Sequence, residues 1–307
     1  GLSLPVASAP STLLAFVVNA GVTTSNTWSF TATAQSGLPG ELQLVIGGTF
    51  RSVAGINRNF VARLNANGSL DTAFNLVGGG LNGPVYAIAA LTNGQVIVAG
   101  EFTNASSLYM RRIARLNRNG TVDPTFIPGL GADATVRALA IQADGRIVIG
   151  GAFTNVGGAP RRGLARLFPN GQLDATFDVG SGANDVVHAV AIQVDGSILV
   201  AGAFTEFNGQ PLQRIVRLNS DGSLDAAFDP GAGANNTIYT VAARSVARTI
   251  EVPPRSNFGR QPDRYDLDTG TRLGVLQLDY AFFGTANTLS VYYEGVLLFN
   301  SDLTNAP

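Results

Sequence analysis

The chain has 307 residues and a formal net charge of -1, from 20 basic and 21 acidic side chains. This balance gives no electrostatic field that would attract nucleic acid or an anionic membrane surface, so neither partner is expected. All basic residues are arginine and cysteine is absent, which excludes a disulfide framework, a thiolate nucleophile and a sulfur-ligated metal site. No apolar run reaches the roughly 20 residues of a membrane-spanning helix, and membrane insertion is not expected.

Residues 1–40 carry no repeated motif but contain two apolar segments that predict strands. They read "STLLAFVVNAG" from Ser11 and "NTWSFTATA" from Asn26. The start "GLSLPVASAPST" lacks the basic region of a signal peptide. Because the chain begins at Gly1 rather than Met, we expect it to have been processed or cut from something longer.

Residues 41–244 repeat one pattern with a period of about 51 residues. Its clearest block occurs four times, as "RLNANGSLDTAF" from Arg63, "RLNRNGTVDPTF" from Arg115, "RLFPNGQLDATF" from Arg166 and "RLNSDGSLDAAF" from Arg217. Between the blocks, pairs of apolar runs are joined by N-G or D-G turns, as in "VRALAIQADGRIVIG", which is typical of β-hairpins. Apolar residues do not recur at helical spacing. Each repeat is therefore predicted to form about four short strands.

The turn inside the block predicts which residues face each other. In "PNG", Pro169 suits the second position of a type I turn and Gly171 suits the left-handed position after it, giving a three-residue loop with a glycine bulge. Counting outward pairs Leu167 with Leu173 and places Arg166 opposite Asp174 on one face. The same count predicts four equivalent ion pairs, namely Arg63–Asp71, Arg115–Asp123, Arg166–Asp174 and Arg217–Asp225. We interpret them as structural, because active sites are rarely repeated four times in symmetric positions.

Four-stranded units arranged in a ring make a β-propeller. The block "GAFTNVGGAPRRGLARLFPNGQLDATFDVGSG" resembles the delta-60 repeat, a bacterial β-propeller repeat of very long secreted or surface proteins, and the resemblance covers residues 42–243. It implies an extracellular or cell-surface location more than a chemistry. The first repeat begins at "LQLVIGGTF" without a leading strand, and the last ends with "TIYTVAAR". We expect four blades, closed by residues 238–244 pairing beside 42–50, unless repeats outside this chain extend the ring.

Residues 245–307 leave the repeat pattern but contain strong strand signals. These are "LGVLQLDYAFF" and "NTLSVYYEGVLLFNSDL", the second with a turn at Glu294-Gly295. They resemble part of a jelly-roll sandwich of the proprotein-convertase P-domain-like kind, and the segments in residues 1–40 resemble its other half. The sequence thus predicts a β-sandwich assembled from both ends of the chain. It closes within one chain, between chains by strand complementation, or along a longer tandem polypeptide.

One set of residues is a candidate ligand site. The head of each leading strand carries a polar or aromatic side chain, namely Tyr86, Arg137, His188 and Tyr239. In a ring these side chains would lie near one mouth of the central channel, where they either hold a small polar ligand or simply line a solvated opening. His188 is the only histidine, so an enzyme of the Ser/His/Asp type would depend on it. No enzyme activity and no cofactor are predicted.

A calcium candidate lies in "DLDTG", where Asp266 and Asp268 stand two residues apart. It lacks the third acidic position and the distal Glu of an EF-hand, so no metal site is predicted. The variable connection around Tyr109, Met110, Arg111 and Arg112 is a candidate contact surface for a glycan or protein.

The sequence therefore favours a non-enzymatic extracellular structural or adhesive subunit that forms filaments with itself, head to tail. The alternative is a monomeric ligand- or glycan-binding propeller module of a secreted or surface protein.

Overall fold

The computed structural model describes residues 30–36, 42–76, 78–243, 263–268, 275–283, 286–293 and 296–303. These residues form strands, turns and irregular segments without a helix, which confirms the prediction of an all-β chain. Accordingly, no helix in this part of the chain is long and apolar enough to cross a membrane. The described residues up to Ala243 belong to one compact unit, and those from Asp263 onward belong to another.

The first unit contains four three-stranded antiparallel sheets, one for each repeat. Strands are numbered in chain order, and each sheet has a leading, a middle and a third strand. The leading strands are β1 (Phe30–Ser36), β6 (Val85–Ala90), β11 (Val136–Ile141) and β16 (Val187–Ile192). The middle strands are β2 (Leu42–Gly48), β7 (Val96–Gly100), β12 (Ile147–Gly151) and β17 (Ile198–Gly202). The third strands are β5 (Val61–Leu64), β10 (Ile113–Leu116), β15 (Leu164–Leu167) and β18 (Ile215–Leu218).

Short pairings complete each repeat. Two-stranded ribbons follow the first three middle strands, formed by β3 (Ser52–Val53) with β4 (Ile56–Asn57), β8 (Asn104–Ala105) with β9 (Leu108–Tyr109), and β13 (Asn155–Val156) with β14 (Ala159–Pro160). After each third strand the chain turns back and makes one isolated bridge, such as Leu167 to Leu173. The predicted fourth strand is thus a single bridge, in the register that the turn predicts.

The hydrophobic core lies between consecutive repeats. Three clusters of buried side chains each combine residues of two neighbouring repeats, for example Val45 and Phe74 of the first repeat with Val85 and Phe102 of the second. Middle strands are apolar on both faces, and β7 and β12 are buried along their whole length. A sheet that is apolar on both faces needs a neighbour on each side, so repetition itself builds the core.

The first repeat has its own leading strand, contrary to the sequence prediction. Strand β1 pairs with β2 in a regular antiparallel register from Phe30–Gly48 to Ser36–Leu42. The prediction that residues 30–34 belong to the sandwich is therefore wrong for this segment. Only residues 37–41 separate the two strands, and so short a connection closes at lower entropic cost than pairing with residues 238–244.

The predicted closing strap is also wrong. Both edges of β2 are taken, one by β1 and the other by β5, so residues 238–244 have no edge there to pair with. Ile238 instead donates its backbone N–H to Gly202 O at 3.1 Å, and residues 238–243 form no strand. The leading strands lie side by side in the order β1, β6, β11, β16, and no sheet pairing among the described residues closes this array.

The second unit is one four-stranded antiparallel sheet in the order β19 (Asp263–Asp268), β20 (Val275–Phe283), β21 (Ala286–Tyr293), β22 (Val296–Leu303). Strands β21 and β22 flank residues 294–295, where the sequence predicts a turn. The predicted partner strand at "STLLAFVVNAG" lies outside the described residues, so the sandwich stays a prediction.

Candidate functional site

The structure brings each predicted arginine to its aspartate. The arginine lies on the third strand, and the aspartate lies just after the turn that follows it. The closest N–O distances are 2.8 Å for Arg63–Asp71, 2.8 Å for Arg115–Asp123, 2.8 Å for Arg166–Asp174 and 2.7 Å for Arg217–Asp225. The backbone supports each pair, as where Asp174 N donates to Arg166 O at 2.8 Å. Both side chains therefore leave the hairpin on the same face.

A phenylalanine three residues after each aspartate completes the group, and sequence reasoning gave it no role. Each arginine guanidinium lies over the ring of this residue, with distances from Cζ to the ring centroid of 4.8 Å for Arg63–Phe74, 5.1 Å for Arg115–Phe126, 4.6 Å for Arg166–Phe177 and 5.0 Å for Arg217–Phe228. This stacking is a favourable cation–π arrangement. The signal was the constant phenylalanine at the end of all four quoted blocks.

The arginine also reaches the next repeat. Nη1 of Arg63 donates to Arg118 O at 2.7 Å, and Nη1 of Arg115 donates to Pro169 O at 2.6 Å. Nη1 of Arg166 donates in the same way to Ser220 O. These carbonyls belong to the turn that follows the third strand of the next repeat. We call this assembly the inter-repeat joint: the arginine, aspartate and phenylalanine of one repeat with the turn of the next.

Two further contacts fix the joint. The residue after the phenylalanine donates its backbone N–H to the incoming turn, as Asn75 N does to Asn119 O at 3.0 Å and Ile127 N to Asn170 O at 2.7 Å. The glycine of the incoming turn lies so close that a β carbon on Gly120 would stand 2.7 Å from Asn75 N. Glycine is therefore required at Gly120 both by its positive φ of 87° and by the close approach of the preceding repeat.

Two carboxylates of the joints, Asp123 and Asp174, have lowered pKa values. Burial by itself would raise the pKa of Asp123, but hydrogen bonds from Thr125, Arg115 and Gln95 outweigh it and lower the pKa to about 2. The pKa of Asp174 is lowered by the same balance, with bonds from Thr176 and Arg166. The same hydrogen bonds that lower these pKa values favour the charged form of each carboxylate beside its arginine.

Three of the four candidate ligand residues occupy β-bulges, whereas Tyr239 lies outside any strand. The pairing register shifts at one position in each of three leading strands, between Val85 and Ala87, between Val136 and Ala138, and between Val187 and Ala189. The extra residues are Tyr86, Arg137 and His188. A bulge turns its extra side chain out of the regular alternation. Sequence reasoning found these positions by their periodicity but missed the bulge.

These side chains form a row of neighbours. The Arg137 guanidinium lies 5.2 Å from the centroid of the Tyr86 ring, and the His188 and Tyr239 rings are 5.0 Å apart. The Tyr86 hydroxyl also lies 3.1 Å from Oε2 of Glu101. The expected ring is thus a row along the leading strands, since the array of sheets is open.

The pKa values of two side chains in this row, His188 and Tyr86, are shifted in the direction that favours the neutral form. Burial lowers the pKa of His188, and the Arg137 charge lowers it further against an opposing effect of Asp185. Burial also raises the pKa of Tyr86, helped by the bond with Glu101. At neutral pH both rings are uncharged. Among the described residues, His188 makes no hydrogen bond to a serine or threonine hydroxyl.

Two further candidates were named from the sequence. Asp266 and Asp268 are part of strand β19 in the second unit, opposite Gln277 and Val275. Within the described ranges, no group of three or more acidic, histidine or cysteine side chains is arranged to hold a metal. Tyr109 is 62% exposed, and the Arg111 guanidinium lies 5.6 Å from its ring centroid.

Side-by-side antiparallel sheets, one per repeat and joined by repeated contacts, define a β-propeller repeat protein. Four segments match the family described as "Domain of unknown function (DUF5122) beta-propeller", at residues 43–74, 91–126, 142–177 and 193–228. Each match ends at the phenylalanine of an inter-repeat joint. These matches support β-propeller repeats in this part of the chain, which agrees with the four repeats predicted from the sequence. No curated protein matches the chain.

Proposed function

We propose that this protein is a non-enzymatic structural or adhesive subunit, extracellular or on the cell surface, that assembles head to tail with copies of itself. The observation that supports it best is the open array of repeats. Both edges of β2 are occupied at one end, and residues 238–243 remain without a strand partner at the other. An array that buries its core between neighbouring repeats leaves uncovered faces at its ends, which invites a further copy.

The second unit supports the same proposal. Its outer strands β19 and β22 each have one paired edge within the described residues, and unpaired sheet edges are templates for strand addition. We propose that this sheet is half of a P-domain-like jelly roll whose other half comes from the N-terminal segment. In this reading the sandwich is completed by strand complementation, or the chain is one period of a tandem-repeat protein.

We also propose that the repeats are of the delta-60 type, because the block "GAFTNVGGAPRRGLARLFPNGQLDATFDVGSG" resembles that repeat. That type carries the expectation of a secreted or surface location. No cofactor is proposed.

Negative-stain electron microscopy of native material, paired with light scattering of the purified chain, tests this function. Filaments with an axial repeat of one propeller unit plus one sandwich unit are expected. On a denaturing gel, filaments held by strand complementation should run as single chains, whereas a tandem polypeptide should run at a much higher mass. Deleting residues 13–18 should abolish assembly, and an added peptide of that sequence should restore it. A homogeneous monomer at high concentration would contradict the proposal.

The alternative, a monomeric glycan-binding module, is favoured by one observation. Tyr239 is 72% exposed beside the ring of His188, and exposed aromatic rings offer a stacking face for sugars. Under this alternative, replacing Tyr239 by Ala would abolish binding on a glycan array while the chain stays monomeric. Under the main proposal that substitution leaves assembly unchanged.

A further inference from the structure

Among the described residues, no turn reaches the joint of the fourth repeat. Arg217 and Asp225 form their pair, but Nη1 of Arg217 has no acceptor among the described residues. The Arg217 side chain is 26% exposed, against 6% for Arg63, 13% for Arg115 and 9% for Arg166. The site therefore has the residues of a joint without the turn that fills one.

Two groups beside Arg217, the Phe228 ring and the Asp229 backbone N–H, also lack, within the described ranges, contacts that the other joints make. Phe228 is half-buried, whereas Phe74, Phe126 and Phe177 are at most 1% exposed. The backbone N–H of Asp229 stands where Asn75, Ile127 and Asp178 donate to a turn, and it has no acceptor in the described part of the chain. We call Arg217, Asp225, Phe228 and Asp229 the open socket.

The matching turn is exposed at the other end of the array. It is residues 65–69 of the first repeat, here called the free turn. No described residue lies within 4 Å of the position that a β carbon on Gly68 would take, whereas Gly120, Gly171 and Gly222 are pressed against the preceding repeat at 2.7, 3.1 and 2.9 Å. Gly68 has the same left-handed conformation, with φ of 82° against 87°, 91° and 99°.

We propose that the open socket of one molecule binds the free turn of a second copy. The free turn offers the same groups as the three filled turns: Ala66 O for the arginine, Asn67 O for the backbone N–H of Asp229, and Gly68 for the close approach. This inference deepens the proposed function, on which it rests for the identity of the partner as a second copy.

A second copy fits better than closure of the chain on itself. Ring closure would bring residues 238–243 to β2, whose two edges are already paired with β1 and β5. All groups of the joint lie on the third strand and the segment after it, with the middle strand between them and the leading strand. A second copy can therefore dock its turn without exchanging a leading strand. The contact is heterologous, so it propagates into a filament unless the rotation closes it.

Thiol crosslinking of the full chain tests the inference, because the protein has no native cysteine. Asn67→Cys and Asp229→Cys are each made alone, at exposed positions. A short bismaleimide should join the two variants into a dimer when they are mixed, and should give far less dimer with either variant alone. A double variant that crosslinks mainly within one chain in dilute solution would show ring closure and overturn the inference.

The substitution Gly68→Asn should prevent the free turn from entering the open socket of a second copy. Asn tolerates positive φ, and the site is exposed, so folding should be unchanged by circular dichroism and melting temperature. Its side chain would collide with the partner's backbone. The dissociation constant of self-association measured by sedimentation should rise about tenfold or more. If the wild type assembles and this variant assembles equally well, the socket is wrong and the proposed function stands. If the wild type is monomeric at every concentration, both fail.

Discussion

The three filled joints and the open socket use the same residue types but differ in what covers them. In the filled joints the phenylalanine is buried, the arginine spans two repeats, and a glycine turn closes the site. In the fourth repeat the pair forms at 2.7 Å, but no turn of the described residues covers it. The ion pair therefore belongs to the hairpin, whereas burial and cohesion belong to the contact between repeats.

Removing the aromatic ring should give the largest difference. Phe177→Ala deletes a fully buried ring and should lower the free energy of unfolding by about 3–5 kcal/mol. Phe228→Ala removes a half-buried ring and should cost much less in dilute solution. Urea unfolding of the two variants measures this. Equal losses would mean that the fourth joint is filled within the chain.

Removing the arginine should give the second-largest loss of stability. Arg115→Met leaves the Asp123 carboxylate, 7% exposed, without its partner, and should destabilise by about 2–3 kcal/mol. Arg217→Met is the matched control, and its effect should be smaller because solvent reaches both partners. Thermal unfolding followed by circular dichroism compares them. A larger loss for Arg217→Met would contradict the ordering.

Glycine substitutions should give a smaller effect. Gly120→Asn keeps positive φ but places its side chain against Asn75, and should lower stability by about 2 kcal/mol. Gly68→Asn, in open space, should change monomer stability little. Chemical denaturation distinguishes them, and equal stability of the two variants would show that the turn of the second repeat does not press on the first.

Acid titration should give the smallest effect. The pKa of Asp123 is lowered to about 2 from an ordinary value of about 3.9. A lowered folded-state pKa contributes stability that is present above about pH 4 and is lost as the pH falls toward about 2. Asp123→Asn should flatten this part of the stability profile measured by denaturant unfolding. An unchanged slope in the variant would rule out Asp123 as a source of acid sensitivity.

The sequence predicted what is local and repeated. Arg166 and Asp174 are eight residues apart, and one turn rule places them together. The acceptor of Arg115 is Pro169, 54 residues away, and no short-range rule reveals a contact across repeats. The pairing of β1 with β2 was missed because "FTATAQS" lacks the Val-x-Ala pattern of the later leading strands, and β1 pairs without their bulge.

The same reasoning explains the fate of the ligand candidates. Periodicity predicted that Tyr86, Arg137, His188 and Tyr239 occupy equivalent positions, and contacts link Tyr86 with Arg137 and His188 with Tyr239. Whether such positions form a ring or a row depends on how the ends of the array pair. Strand β1 occupies the edge of β2 that residues 238–244 would need to close a ring. No sequence motif predicts this pairing.

The most direct test is hydrogen exchange at four equivalent backbone amides, Asn75, Ile127, Asp178 and Asp229, measured at low and high protein concentration. The first three amides should be protected at both concentrations, because each donates to a turn of the same chain. The Asp229 amide should exchange fast in dilute solution and become protected as copies associate. Protection of Asp229 in a dilute monomer, or fast exchange in the assembled state, would contradict the account.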